Sequence, residues 1–299
     1  MDDSKIVAVD LGGTNSRAAI VDCDGNIVKQ VKNPVNHDEP EPTVVIDSIK
    51  EVMAGEDVGK AVIGIPGIID YELQQAVHVP NLPQNWIPKL SAEWLGSHTD
   101  LEVGLANDAD LAAVGEAKFG AAKNYNDMVY VTISTGIGGG AVLGGKLVHG
   151  KYAANDIGHV MVDLSTTESG RYTPETYGSG PNLEAQARDV GLEVTTKELV
   201  ELVRSGDEKA TQVFDKGIRG AAAGIVNLAW LYAPAAIVIG GGVGLNADVV
   251  LPRIEELLAS YGPDGVEPAK LLSAELGDSV ALVGAAGWWE AFSQTAPGN

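Results

Sequence analysis

The most informative segment near the start of this sequence is Val9-Asp10-Leu11-Gly12-Gly13-Thr14-Asn15. It joins two apolar runs of strand length, residues 5–9 and 17–21, and so predicts a glycine turn between two strands. Glycines let the backbone N–H groups of such a turn approach an anion closely, and phosphate is the natural occupant. Asp10 ends the first strand and is well placed to hold Mg²⁺, directly or through water. Taken alone, the two glycines fit equally well a tight hairpin that only needs positive φ angles.

A second strand runs into glycines at Ile133-Ser134-Thr135-Gly136-Ile137-Gly138-Gly139-Gly140. The spacing imitates a dinucleotide fingerprint and, with Gly145-Lys146, a P-loop. Both motifs require a helix to follow, whereas residues 141–148 predict another hairpin. In addition, Leu147 stands where a P-loop has a magnesium-binding hydroxyl. Neither of these two sites is therefore expected here.

A third glycine segment, Ile237-Val-Ile-Gly240-Gly241-Gly242-Val-Gly244, leads into a predicted helix from Ala247 to Leu258. The predicted strand before Gly240 and the predicted helix after Ala247 agree with the structural context of a dinucleotide-binding motif. However, residues 261–269 predict a Gly/Pro loop, so we expect no acidic residue at the end of a second parallel strand at the required distance. Contact with a nucleotide is expected, and a dinucleotide is not.

The fourth segment is Asn107-Asp108-Ala109-Asp110, at the start of a predicted helix. In isolation, the better interpretation is that Asn107 or Asp108 caps the exposed amides of that helix. The functional interpretation is that a carboxylate at the N-terminus of this helix acts as a general base. It would accept the proton of a hydroxyl group while the hydroxyl oxygen attacks a phosphorus atom. Both interpretations remain open from the residues alone.

Composition excludes several classes of function. A formal net charge of -21 disfavours nucleic acid and anionic membranes as partners. The single cysteine, Cys23, cannot form an intrachain disulfide or a cysteine-based metal cluster, and it suggests a reducing compartment. We see no export signal, and the uncharged run of residues 221–247 is interrupted by Pro234 and by Gly240-Gly241-Gly242. We therefore expect a cytoplasmic protein.

The coarse pattern alternates strands with helices. Helices are predicted around residues 43–53, 107–119 and 284–292, with a largely helical region over residues 182–232. The segment 78–90 contains Pro80, Pro83 and Pro88 and is predicted to be a loop. Strand-rich blocks that open each half of the chain suggest two α/β lobes that face each other.

Seven motifs occur in one order along the chain: Asp10-Leu-Gly-Gly-Thr-Asn15, Gly64-Ile-Pro-Gly67, Pro80-Asn81, Asn107-Asp-Ala-Asp110, Ser134-Thr-Gly-Ile-Gly-Gly-Gly140, Gly158-His159 and Gly240-Gly-Gly242. In this order they resemble the ROK family of sugar kinases and related repressors, within the actin-like ATPase/sugar kinase superfamily. The resemblance covers nearly the whole chain. It implies a two-lobed α/β fold of the actin-like, ribonuclease H-like type, with ATP and sugar in a central cleft.

The resemblance also implies lobe boundaries. Residues 1–106 would form a small lobe, residues 107–283 a large lobe, and the C-terminal segment 284–299 would return to pack on the small lobe.

Roles are carried over position by position. Asp108 would be the general base, and Asp10 would hold Mg²⁺. The residues implied to bind sugar are Gly67, Asn81, Asn107, Asp108, Asp156, His159 and Glu175. The residues implied to surround the phosphates and the adenosine of ATP are Gly12, Gly13, Thr14, Asn15, Thr135, Gly136, Gly240, Gly241 and Gly242.

Two departures from the family pattern lie among the residues implied to bind sugar. Most members have a zinc-binding run of three cysteines before the glutamate, whereas residues 163–175 of this chain contain no cysteine. Asp156 stands where the family usually has glutamate. We therefore expect no zinc site, and we expect Tyr172, Tyr177, Pro174 and a pair of Arg171 with Asp163 or Glu168 to order this region instead.

The expected activity is that of an ATP- and Mg²⁺-dependent hexokinase that phosphorylates a free hexose, glucose at its 6-hydroxyl being the best single prediction, in a homodimer. Alternatives are a kinase for mannose, fructose, an N-acetylhexosamine or gluconate, a polyphosphate-dependent glucokinase, and a non-catalytic sugar sensor. A repressor is disfavoured because only nine residues precede Asp10, too few for a DNA-binding helix-turn-helix there.

Overall fold

The computed structural model describes residues 4–153, 156–164 and 172–293. Strands and helices alternate along it, and the α/β class predicted from the sequence is confirmed. The strands are β1 (Lys5–Leu11), β2 (Asn15–Asp22), β3 (Ile27–Pro34), β4 (Lys60–Ile65), β5 (Ile68–Asp70), β6 (Gln75–His78), β7 (Glu102–Asn107), β8 (Met128–Ile133), β9 (Ile137–Leu143), β10 (Lys146–Leu147), β11 (Ala236–Gly240) and β12 (Lys270–Ser273). The helices are α1 (Thr43–Met53), α2 (Ala92–Thr99), α3 (Asp108–Lys118), α4 (Pro174–Gly178), α5 (Gly180–Asp189), α6 (Thr196–Ser205), α7 (Glu208–Tyr232), α8 (Gly241–Gly244), α9 (Ala247–Tyr261) and α10 (Val280–Ser293).

The first sheet has the order β3-β2-β1-β4-β7. Strands β1, β4 and β7 are parallel and almost continuously buried, as expected for central strands covered on both faces. Strand β3 alternates between half-buried and exposed residues, which is typical of an edge. The parallel register pairs Asp10 with Gly64 and Ile65 with Asn107, so three of the predicted motifs end at one edge of this sheet.

The second sheet has the order β10-β9-β8-β11-β12. Strand β11 is parallel to both β8 and β12, and Gly240 pairs with Thr132. The carboxyl ends of β8 and β11 therefore bring the segment after Ile133 and the segment after Gly240 to the same edge, where ligands bind in open α/β sheets.

By internal contacts the chain forms two compact units. Unit 1 comprises the described residues of 1–123, 140–155 and 278–299, and unit 2 comprises those of 124–139 and 156–277. The lobe boundaries implied by the family resemblance stay a prediction.

The closest helix contact in unit 1 is between α3 and α10. A Cβ atom on Gly115 would lie 2.7 Å from the carbonyl oxygen of Val280, and one on Gly284 would overlap the carbonyl oxygen of Leu111. The two helices therefore touch through their backbones, which only glycine permits. This contact fixes α3, the helix that begins with Asp108.

Several elements were not expected from the sequence. The segment 78–90 was predicted to be a loop, but Gln84–Lys89 forms a 3₁₀ helix. Its Trp86 is fully buried, and the indole N–H donates to the carbonyl of Glu39 at 2.8 Å, so a tertiary contact outweighs the prolines. Strand β12 also follows the predicted Gly/Pro loop and lies parallel to β11.

Helix α7 ends at Tyr232, as its sequence predicts, with Ala233 in a left-handed conformation before Pro234. Within the three described ranges, no helix combines the length and the apolar character needed to span a bilayer.

The contact between α3 and α10 yields a prediction of stability. Exchanging glycine for alanine normally stabilises a helix by up to about 1 kcal/mol. Gly284→Ala should instead lower the free energy of unfolding by about 1–3 kcal/mol, because the new methyl group overlaps the α3 backbone. Thermal and urea unfolding measure the effect. The matched control is Gly150→Ala, where the nearest atom would be 3.9 Å away. Equal midpoints for the two variants would contradict the packing described here.

Candidate active site

In unit 1 the glycine turn after β1 is a defined backbone structure. The N–H of Gly12 donates to the carbonyl of Asn15 at 2.9 Å, and the N–H of Val35 donates to the carbonyl of Thr14 at 2.9 Å. A Cβ atom on Gly13 would lie 2.9 Å from the carbonyl oxygen of Asn81. The turn predicted to bind phosphate and the loop predicted to bind sugar therefore pack against each other.

Asp10 is held by Arg17, its partner on the neighbouring strand. Two guanidinium nitrogens of Arg17 donate to the same carboxylate oxygen, Oδ2, the Nε bond being 3.1 Å long. Because neither bond goes to Oδ1, that oxygen fits a water-mediated contact to a cation. Mg²⁺ commonly binds through one or two carboxylates together with substrate phosphates rather than in an all-protein cage. In the described residues, no group of three or more His, Cys, Asp or Glu side chains could hold a metal ion.

The Gly64–Gly67 motif follows β4. Gly67 has a φ of 118°, and a Cβ atom there would overlap the carbonyl oxygen of His78. The Gly67 carbonyl accepts a hydrogen bond from the side-chain amide of Asn107 at 2.9 Å. This bond joins two residues that the sequence comparison with the family placed at the sugar.

Asn107 is the N-cap of α3. Its side-chain oxygen accepts from the backbone N–H groups of Ala109 at 2.8 Å and Asp110 at 3.2 Å. Of the two capping residues left open by the sequence, Asn107 is therefore the one in the cap position. Asp108 is the first residue of the helix and is half-buried, and its Oδ1 accepts from the N–H of Ala109 at 2.9 Å.

In unit 2 the second glycine segment makes a turn tied to Glu175. The N–H of Ser134 donates to the carbonyl of Gly136, and Thr135 lies between them. Glu175, in α4, accepts a hydrogen bond on Oε2 from the N–H of Ile137 at 2.9 Å, and a Cβ atom on Gly136 would lie 2.7 Å from that oxygen. A residue predicted to bind sugar thus contacts a turn predicted to bind phosphate.

The third glycine segment packs on the second. Gly241 has a φ of 84°, and a Cβ atom there would lie 2.5 Å from the carbonyl oxygen of Ile133. A Cβ atom on Gly242 would lie 3.7 Å from the hydroxyl of Ser134. Gly240, at the end of β11, lies against the ring of Tyr130. The backbone of this segment therefore runs directly over the end of β8.

Asp156 precedes a short 3₁₀ helix, Ile157–His159, and His159 is its last residue; the Asp156 Oδ2 and His159 Nε2 atoms are 3.5 Å apart. Partial burial raises the pKa of the Asp156 carboxyl, with a further contribution from the negative charge of Glu175, while His159 opposes the shift. The three side chains predicted to bind sugar in unit 2 are therefore electrostatically coupled.

The described residues on either side of the segment 165–171 are joined by direct hydrogen bonds. The Tyr177 hydroxyl donates to Asp163 at 2.7 Å, and the N–H of Val162 donates to the carbonyl of Tyr172 at 2.8 Å. Thr173 caps α4 in a reciprocal pair with Thr176. The predicted partners Arg171 and Glu168 lie outside the described residues.

The predicted site residues fall into two groups. Those in unit 1 are Asp10, Gly12, Gly13, Thr14, Asn15, Gly67, Asn81, Asn107 and Asp108. Those in unit 2 are Thr135, Gly136, Asp156, His159, Glu175, Gly240, Gly241 and Gly242.

Some neighbours of these groups were missed by the sequence analysis. Arg17 contacts Asp10, and the His37 ring contacts the Gly13 carbonyl at 2.6 Å. The Tyr71 hydroxyl contacts Asp110 and the backbone of Asn107. Of these contacts, only that between Asp10 and Arg17 could have been predicted from the sequence, because the two residues flank the turn between the first two predicted strands.

Comparison with known proteins supports the same assignment. The model of the ROK family matches residues 6–291. The glucokinase of Streptomyces coelicolor is 30% identical over an alignment that covers 94% of this chain and 96% of that protein.

Two solved structures are similar over nearly the full length. The ROK hexokinase of Thermus thermophilus has a TM-score of 0.85 at 29% identity, covering 97% of this chain and 99% of the other. A ROK family glucokinase from Streptomyces griseus, solved in complex with glucose and AMPPNP, has a TM-score of 0.74 at 29% identity, covering 94% and 98%. The chain therefore belongs to the ROK family, with the actin-like ATPase/sugar kinase fold and the activity of an ATP-dependent sugar kinase.

Proposed function

We propose that this sugar kinase phosphorylates free glucose at the 6-hydroxyl, with Asp108 as general base and Mg²⁺-bound ATP as donor. The observation that carries the proposal is the Asn107 side chain, which caps α3 and binds the Gly67 carbonyl at 2.9 Å. It holds the Asp108 backbone beside the strand end where Gly67 and Asn81 would bind sugar hydroxyls. The glucose seen in the Streptomyces griseus relative supports this choice of sugar.

In the proposed mechanism, the Asp108 carboxylate accepts the hydroxyl proton as the oxygen attacks the γ-phosphorus. The turn Gly12, Gly13, Thr14 and Asn15 and the turn at Thr135 and Gly136 would surround the phosphates and orient them through backbone N–H groups other than that of Gly12, which closes its own turn. Gly240, Gly241 and Gly242 would lie under the adenosine. When bound, Mg²⁺ would neutralise phosphate charge, and Asp10, through its Oδ1, is the residue that would hold it.

Asp156, His159 and Glu175 would complete the sugar contacts. Glu175 receives the Ile137 N–H on Oε2, so its Oε1 is the oxygen we assign to a sugar hydroxyl. We also propose a homodimer in a reducing compartment, the cytoplasm, which fits the single cysteine.

The experiment that tests the substrate is an ADP-release assay with ATP across glucose, mannose, fructose, N-acetylglucosamine, N-acetylmannosamine and gluconate. Polyphosphate replaces ATP in a parallel series that measures the phosphorylated sugar. We expect the highest kcat/KM with glucose and ATP, because the net charge of -21 disfavours a long anionic donor. A higher value with another sugar or with polyphosphate would replace the proposed substrate or donor.

The role of Asp108 yields a second prediction. Asp108→Asn should lower kcat by at least roughly 10²- to 10⁴-fold, because the hydroxyl loses its proton acceptor. Glucose and ATP binding, measured by calorimetry, should persist. The control Asp47→Asn removes a carboxylate from the exposed side of α1 and should leave kcat unchanged. A near-normal kcat for Asp108→Asn would contradict the role of Asp108 as general base and leave it only a structural role at the start of α3.

The metal requirement yields a third prediction. EDTA should abolish turnover, and excess Mg²⁺ should restore it, because the charge of the ATP phosphates needs a divalent ion. A zinc-selective chelator in excess Mg²⁺ should have no effect, because residues 163–175 contain no cysteine to bind zinc. Loss of activity with that chelator would show that a zinc site exists.

A further inference from the structure

Asp110 is a buried carboxylate in the first turn of α3, two residues after Asp108. It is 1% exposed. Burying a carboxylate costs several kcal/mol unless it receives hydrogen bonds. The Tyr71 hydroxyl donates to its Oδ2 at 2.6 Å, a short hydrogen bond.

The same hydroxyl also accepts a hydrogen bond. The backbone N–H of Asn107 donates to it at 3.1 Å. Tyr71 therefore contacts the residue immediately before Asp108 and the residue two positions after it. The hydroxyl is therefore bonded to the residues on both sides of Asp108 at the start of α3.

Tyr71 keeps its proton. Burial raises the pKa of its hydroxyl well above the ordinary value, and the negative charge of Asp110 raises it further. This shift favours the protonated hydroxyl, which is the form that donates to Asp110.

The ring of Tyr71 is anchored within unit 1. Its centroid lies 5.1 Å from that of His149 and 5.1 Å from that of Phe292, and Phe292 stacks on Trp288 at 4.4 Å. Its backbone N–H donates to the carbonyl of Lys151 at 2.9 Å. The ring is therefore packed by α10, the helix that also contacts α3, and by the segment after β10.

We propose that Tyr71 is a positioning residue for phosphoryl transfer, holding the first turn of α3 so that the Asp108 carboxylate faces the reacting hydroxyl. The inference rests on the proposed role of Asp108 as general base. Without the Tyr71 hydroxyl, Asp110 loses a donor and the Asn107 N–H loses its acceptor, so the first turn relaxes. A displacement of about 1 Å in a catalytic group can cost up to 10²-fold in rate.

The test begins with Tyr71→Phe, which keeps the ring and removes only the hydroxyl. We expect kcat with glucose to fall by about tenfold or more, the effect of losing one hydrogen bond to a charged group. KM for glucose should change by less than about threefold, because the sugar contacts remain. A purely structural role would lower the melting temperature and the fraction of active enzyme but leave kcat per glucose-binding site unchanged, and that result would overturn the proposal.

A rescue pair tests the contact from the other side. In Asp110→Asn the amide oxygen can still accept from Tyr71, whereas Asp110→Ala offers no acceptor. We expect Asp110→Asn to keep most of kcat and Asp110→Ala to lower kcat clearly, because only Asp110→Ala removes the acceptor of the Tyr71 hydroxyl. The combined loss of kcat in the double variant Tyr71→Phe/Asp110→Ala should be smaller than the two single losses multiplied together, because both substitutions remove the same Tyr71–Asp110 hydrogen bond. Equal kcat for the two Asp110 variants, or additive losses in the double variant, would overturn the proposal.

The control is Tyr261→Phe, which removes a hydroxyl from a tyrosine that is 68% exposed in unit 2 and should leave kcat unchanged. If Tyr71→Phe does not fold, the Asp110 pair still decides. Asp108→Asn separates the two hypotheses: full activity in that variant overturns the proposed base, whereas an inactive Asp108→Asn with a fully active Tyr71→Phe overturns only the role of Tyr71.

Discussion

The parallel register of β1, β4 and β7 is the constraint on which the arrangement in unit 1 depends. Pairing Asp10 with Gly64 and Ile65 with Asn107 brings three segments that are far apart in sequence to one edge of one sheet. Each strand is apolar on both faces, so a shift of register would be resisted by the packing of α1 and α10 against the sheet. The polar residues are therefore confined to the strand ends.

The glycines of the two turns predicted to bind phosphate, after β1 and after β8, also allow close contacts with neighbouring residues. Gly13 allows the first turn to touch the backbone of Asn81, and Gly136 allows the second turn to touch the Glu175 carboxylate. Each turn predicted to bind phosphate is thus in contact with a residue predicted to bind sugar in the same unit. A side chain at either glycine would separate the two, which gives these glycines a role in joining the proposed substrate sites.

The absence of a cysteine cluster is accommodated by ordinary hydrogen bonds. In the family the metal would fix the loop that carries the histidine and the glutamate, whereas here Tyr177 binds Asp163 and the Thr173–Thr176 pair caps α4. Glu175 is further fixed by the Ile137 N–H. These bonds are directional but individually worth about 1 kcal/mol. Several hydrogen bonds of this strength therefore position the described residues around Glu175.

The α/β class, the glycine turns and the family could be predicted from the sequence, because apolar periodicity and the order of motifs are read directly from the order of residues. It also narrowed the start of α3 to two capping residues, Asn107 and Asp108. Strand β12, the 3₁₀ helix around Trp86 and the backbone contact of Gly284 with α3 were decided only by tertiary structure, because their stability comes from residues distant in sequence. The same holds for Tyr71. No motif marks it, and its position between Asn107 and Asp110 exists only once α10 and the segment after β10 have packed around its ring.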